Sequence, residues 1–251
     1  MKEFLLNENI GINFKIFNGT HFITLAITYI LMVLIILNKN KLSSVSLKNK
    51  KIIQFGFGLI LVSIFLIRRI SYVYYGVYDF KYHLDLGFCN MTVILFIIHC
   101  LSGNIKLYKL CYYAVFGGPL LSILLPSVDL YINNFSFIVF ILFHNILFLA
   151  NLVFFEFNKV QFDKKDSIRI TICCIIYIFF TNIIDIIFNF NYNQLSEFIS
   201  DDYLKNIFIF YLANNFFTSM LIYIFLAIIC LKIANYFIKI LGGKNEKKKT
   251  I

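Results

Sequence analysis

The chain has 251 residues, of which 60% are hydrophobic and 14% charged, with a formal charge of +10 and no tryptophan. A soluble domain is nearer half apolar and a quarter charged, so this composition excludes an ordinary water-facing fold and fits a chain whose solvent is mostly lipid. The basic excess implies no nucleic acid, because membrane proteins gather Lys and Arg in their cytoplasmic loops.

Met1 to Gly19 carries Lys2, Glu3, Glu8 and Lys15 without a sustained apolar core, so no cleavable signal peptide is expected. The first apolar run, 20–38, is followed by lysines rather than a small-residue cleavage site and reads as a true span. A helix needs about 20 mainly apolar residues to cross the hydrocarbon core. Seven runs qualify: 20–38, 52–75, 83–103, 106–126, 133–155, 168–189 and 206–238. They predict an all-α, polytopic membrane helix bundle of seven transmembrane helices, one integral membrane domain over 1–251. With the amino terminus outside, the inside segments hold 16 basic residues and the outside segments 4. That bias predicts an external amino terminus, a cytoplasmic carboxyl terminus and a multi-pass place in the cell membrane.

Polar residues inside the spans can then be ordered by depth, at about 1.5 Å of rise per residue. Arg68 and Arg69 fall in the outer third of span 2. Asp85, Cys89 and Asn90 lie near the outer end of span 3, with Asp85 and Cys89 four apart on one face. His144 and Asn145 sit near the middle of span 5, Asn182 and Asp185 near the outer end of span 6, and His21 at the outer end of span 1. Ionisable groups at membrane depth are costly and raise a functional hypothesis by default. Their grouping in the outer half predicts one polar cavity lined by spans 2, 3, 5, 6 and 7.

Each group also has a structural explanation. Arg68 and Arg69 cost a few kcal/mol each within a span. They could pair with Asp85 and Asp185 to hold the bundle, or one could offer its guanidinium fork to a phosphate. Cys89 and His144 could be a nucleophile and its base, with Asn90 or Asn145 orienting the histidine or holding an oxyanion. They could equally be packing and an interhelical hydrogen bond. The six cysteines show no zinc-type or disulfide framework. His83 and Asp85, two apart, do not share a helix face, and no His-x-x-x-His or Glu-x-x-His spacing occurs. No metal and no cofactor is therefore expected. Gly117-Gly118-Pro119 reads as a kink in span 4.

The order of landmarks resembles the YwaF-type integral membrane proteins, bacterial relatives of the eukaryotic transmembrane protein 164 family. A His opens the first span, here His21. A Leu-Pro-Leu-His-Leu-Cys-type motif opens a later one, here Leu84-Asp85-Leu86-Gly87-Phe88-Cys89. A Gly-containing span follows, Phe116-Gly117-Gly118 to Pro126. Then come a Phe-rich span with Phe143-His144-Asn145 and, after the next span, Asn191-Tyr192. The resemblance implies cysteine-dependent acyl transfer between phospholipids, with Cys89 as nucleophile and His144 as base. Arg68, Arg69, Asp85, Asn90, Asn145, Asp185 and Asn191 are the candidate substrate-binding set. Membrane lipids are the expected partners, with no obligate protein partner. The chain departs from the family pattern at Gly87, which replaces the His two residues before the Cys, and at Asp85, which replaces the Pro. The rival expectation is a transporter or ligand-binding membrane protein using the same cavity, and a third is a purely structural bundle.

Overall fold

The computed structural model describes residues 13–14, 17–76, 78–79, 86–126, 130–131, 135–188 and 216–241. In chain order the described helices are α1 (Gly19–Leu37), α2 (Lys39–Ser44), α3 (Leu47–Tyr74), α4 (Phe88–Ser102), α5 (Ile105–Gly117), α6 (Pro119–Leu124), α7 (Phe135–Asn158), α8 (Lys164–Phe188) and α9 (Phe216–Ile240). Asn13–Phe14 (β1) also pairs antiparallel with Leu130–Tyr131 (β2).

Local chemistry explains where the helices start and stop. Asn18 accepts from the His21 backbone N–H at 2.9 Å and so caps α1, and Ser46 caps α3 by accepting from Asn49 at 3.3 Å. The Ser46 cap starts α3 five residues before the apolar run expected from 52. Gly103 ends α4 in the left-handed region, at φ 68°, where a side chain would be strained. Asn104 at once caps α5, its Oδ1 accepting from Lys106 at 2.9 Å and Leu107 at 3.4 Å. The expected span 106–126 is divided in two at Gly118-Pro119. Pro119 takes the first position of α6, where its missing N–H breaks no bond, and Gly118 bridges the halves.

Five stretches are long and apolar enough to cross a membrane: Gly19–Leu37, Leu47–Tyr74, Ile105–Leu124, Phe137–Asn158 and Lys165–Asp185. Helix α4 is a shorter apolar helix of 15 residues: the expected span 83–103 begins instead at Phe88, with Gly87 extended as its N-cap, and residues 83–85 lie outside the described residues. Likewise α9 begins at Phe216, and 206–215 of the expected seventh span lie outside them. The fold is thus an all-helical membrane architecture with five full-length candidate spans among the described residues.

Helices α5 and α7 form its centre. Half or more of each span is buried, 56% for α5–α6 and 50% for α7, against 11% for α1 and 17% for α3. Helix α5 touches α4, α6, α7, α8 and α9, while α7 touches α1 to α6. The peripheral helices present large apolar residues outward, among them Ile27, Ile60, Ile67 and Ile176. Lipid tails are as apolar as these side chains, so the hydrophobic effect does not drive helix to helix within the bilayer; packing and hydrogen bonds do. The centre contains both. Phe96 stacks on Phe154 at 5.6 Å and Phe116 meets Phe148 edge-on at 5.9 Å. Tyr108 donates to the Asn151 carbonyl at 2.6 Å, and Asn151 Nδ2 to the Tyr112 carbonyl at 3.3 Å. The Tyr112 hydroxyl crosses to the Ala234 carbonyl at 3.1 Å and ties in α9.

Candidate functional site

Cys89 is the second residue of α4 and is half-buried. Its Sγ lies 3.3 Å from Ser122 Oγ on α6, and either atom can donate. A Cβ added to Gly118 would come within 3.2 Å of Sγ and 2.9 Å of the Phe88 ring. The absence of a side chain at Gly118 is what lets α4 approach the α5–α6 break. Ser122 is itself fixed from the far side. The next residue, Ile123, accepts a hydrogen bond at 2.9 Å from His21 Nε2, whose Nδ1 accepts from the Phe17 backbone N–H at 2.9 Å. These two contacts define the tautomer of His21, with its proton on Nε2. They make it a latch between α1 and α6.

His144 has the other tautomer. Its Nδ1 lies 2.7 Å from the Phe140 carbonyl, which can only accept, so Nδ1 carries the proton. Nε2 is left with its lone pair and makes no hydrogen bond among the described residues. The ring packs on Phe140 at 4.3 Å. No hydrogen bond joins His144 to Cys89 among the described residues.

Helix register nevertheless puts them at one level. On α3 and α4, Gly58 faces Cys100. Ten residues along each helix, about 15 Å, lead to Arg68 and Asn90. On α3 and α7, Phe57 meets Phe154 at 5.7 Å, and eleven residues along each lead to Arg68 and Phe143. On α6, Ser122 is placed at the level of Cys89 by its contact with Sγ. Arg68, Cys89, Asn90, Ser122 and His144 therefore share one layer, contributed by α3, α4, α6 and α7. Arg68 is within electrostatic reach of His144. Its Nε donates to the Tyr72 hydroxyl at 3.2 Å, with the guanidinium over the Tyr72 ring at 5.6 Å. Its two terminal nitrogens make no hydrogen bond among the described residues.

The other candidates are placed differently. Arg69 lies over the rings of Phe65 and Tyr78, at 5.5 and 5.8 Å. Asn145 spends its amide on structure: Nδ2 donates to the Ile141 carbonyl at 2.8 Å, and Oδ1 accepts a short hydrogen bond from Thr28, tying α7 to α1. Asn90 is half-buried and makes no hydrogen bond among the described residues. Asp185 is buried on α8, two turns beyond Tyr177, with Asn182 buried beside it. Tyr177 reaches the site's edge, donating to the Leu86 carbonyl at 2.9 Å with its ring 6.4 Å from Phe88. Asp85, Asn191 and His83 lie outside the described residues. Among the described residues no three His, Cys, Asp or Glu side chains gather as a metal site would require.

Ser122 and Tyr177 are the residues that sequence reasoning passed over. A serine in an apolar run carries no motif, and only the break at Gly118-Pro119 turns it toward α4. No curated protein and no solved structure matches the chain. A family model does, over residues 16–238, a range that runs from before α1 through the shared layer and to within two residues of the end of α9. By that match the chain belongs to the TMEM164 family.

Proposed function

We propose that the chain is a seven-helix membrane enzyme, amino terminus outside, in which Cys89 carries an acyl group between phospholipids. What supports the reading is the shared layer: a thiol held at 3.3 Å from Ser122, a histidine whose Nδ1 is held by the Phe140 carbonyl, and a guanidinium whose two terminal nitrogens make no hydrogen bond among the described residues. Family membership and the apolar helices support the lipid setting. The 16-to-4 distribution of basic residues supports the orientation, which puts the layer in the outer half of the bilayer.

In this mechanism a phospholipid enters sideways and Arg68 holds its phosphate through the terminal nitrogens. His144 Nε2 takes the proton from Cys89, directly or through one water, as Sγ attacks the ester carbonyl carbon. Ser122 Oγ donates to the sulfur and aims it. Asn90 Nδ2 is the group near enough along the chain to stabilise the oxyanion. The carbon–oxygen bond breaks, His144 returns its proton to the departing lysolipid alkoxide, and a thioester remains on Cys89. An acceptor lysolipid hydroxyl then loses its proton to His144 and attacks the thioester. The thiolate leaves and is reprotonated by His144. No external oxidant, nucleotide or metal enters the balance.

The test is acyl exchange between defined phospholipids and lysolipids in proteoliposomes, with trapping of the thioester. Cys89→Ala is expected to abolish both transfer and trapped adduct; full transfer by that variant sinks the reading. A second reading follows from the lack of a Cys89–His144 hydrogen bond: the same layer binds a phosphorylated lipid without chemistry. Binding that survives Cys89→Ala but is lost in Arg68→Gln, with no exchange in the native protein, identifies that case.

A further inference from the structure

An open cleft lies between α5, α8 and α9, with Phe88 and Gly117 at one end and Thr171 and Leu231 among the residues further along. Along α8 the lining runs from Thr171 to Ile178, about 10 Å of helix. No lining residue is charged. Its hydroxyls are already committed: Thr171 donates to the Ser167 carbonyl at 2.8 Å, and Tyr113 to Asn235 Oδ1 at 3.1 Å. What remains is aliphatic and aromatic surface with two thiols, Cys174 and Cys230. An occupant with polar groups would leave them unsatisfied, whereas a hydrocarbon chain would lose nothing. The Phe88 end abuts the nucleophile: Phe88 precedes Cys89, and both crowd the missing side chain of Gly118.

We propose that this cleft receives the hydrocarbon chain of the acyl group whose carbonyl carbon sits at Cys89, and that acyl-chain selection is made there. The proposal rests on the reading of Cys89 as acyl carrier for its functional meaning, but not for the occupancy itself. The chain extends from the sulfur past Phe88 and down the α8–α9 wall. Ala227 and Ile178 set the room available. A larger side chain at Ala227 narrows the cleft and a smaller one at Ile178 widens it.

The experiment uses the full chain in phosphatidylcholine nanodiscs containing a phosphatidylcholine with a photoactivatable diazirine at the acyl terminus. Crosslinks are mapped by mass spectrometry. The expected result is crosslinking concentrated on α8 and α9 residues of the cleft, retained in Cys89→Ala and lost in Ala227→Phe. Crosslinks spread evenly over the outward faces of α1 and α3, such as Ile27 and Ile60, indicate annular lipid only and overturn the proposal. Acyl exchange with mixed chain lengths supplies the functional arm. Ala227→Phe is expected to shift the ratio of short to long chains transferred by about tenfold, and Ile178→Ala to shift it the opposite way. Unchanged ratios in both variants, with melting temperatures showing both folded, also overturn it. Failure of the Cys89 chemistry reads out separately, as exchange that persists in Cys89→Ala while the crosslinks stay in the cleft.

Discussion

Ser122 and Gly118 decide where the Cys89 sulfur sits, one by attraction and the other by exclusion. Removing the hydroxyl in Ser122→Ala takes away one neutral hydrogen bond, a net effect near 1 kcal/mol. If the sulfur is the nucleophile, kcat for acyl exchange should fall about fivefold while the melting temperature barely moves, since the hydrogen bond positions rather than supports. Gly118→Ala acts the other way. Its methyl group would sit 2.9 Å from Phe88 and 3.2 Å from Sγ, closer than packed atoms tolerate. Overpacking of this kind costs about 1–3 kcal/mol. The expected outcome is a lower melting temperature together with altered maleimide labelling of Cys89, measured against the other thiols in the same protein. Serine 122 was illegible in the sequence because its role depends on a turn of the backbone, not on a spacing. The heights of Arg68, Cys89, Asn90 and His144 along their helices could be ordered from the sequence, because helix rise converts residue number into height without knowledge of contacts. Asn145 shows the limit of that conversion. It has the right height, but its amide is taken by Thr28 and Ile141, and height says nothing about which way a side chain turns.

At the scale of elements, the junctions hold more information than the spans. The Ser102-Gly103-Asn104 turn ends one helix and caps the next within three residues. His99 reinforces it from inside, donating from Nδ1 to the Asn104 carbonyl at 3.0 Å while Nε2 accepts from Gln54 on α3 at 3.2 Å. Asn104→Ala should cost about 0.5–2 kcal/mol through loss of the cap, read as reduced resistance to denaturant in detergent micelles. Gly103→Ala should add strain on top, because φ is 68° there. These junctions were partly readable from glycine, proline and asparagine in the sequence. The start of α3 was not, because hydropathy marks where a helix meets lipid rather than where its hydrogen bonding begins. A cap such as Ser46 lies outside the apolar window altogether.

For the whole molecule, two central helices surrounded by lipid-facing ones put the polar layer at the junction of α3, α4, α6 and α7 and the apolar cleft on the α8–α9 side. The helical membrane class was legible from composition, since 14% charged residues is far below the quarter usual in soluble domains. The packing order was not, because apolar helices in lipid have no amphipathic stripe strong enough to name a neighbour. Orientation remains a matter of charge. Reporter fusions after residue 251 are expected to be active only in the cytoplasm, and moving the five lysines of 39–51 to glutamine should weaken that bias.

The His21 latch also bears on how the protein is made. Its two partners are far apart in the chain: Phe17 is four residues away, but Ile123 is 102 residues on. Helix α1 leaves the ribosome before α6, and at about 5–20 residues per second the Ile123 carbonyl follows His21 roughly 5–20 s later. Through that interval α1 stands in the bilayer with a histidine N–H still waiting for its acceptor. Docking of α1 is therefore completed late, once α6 and then α7, whose Asn145 accepts from Thr28, have followed it.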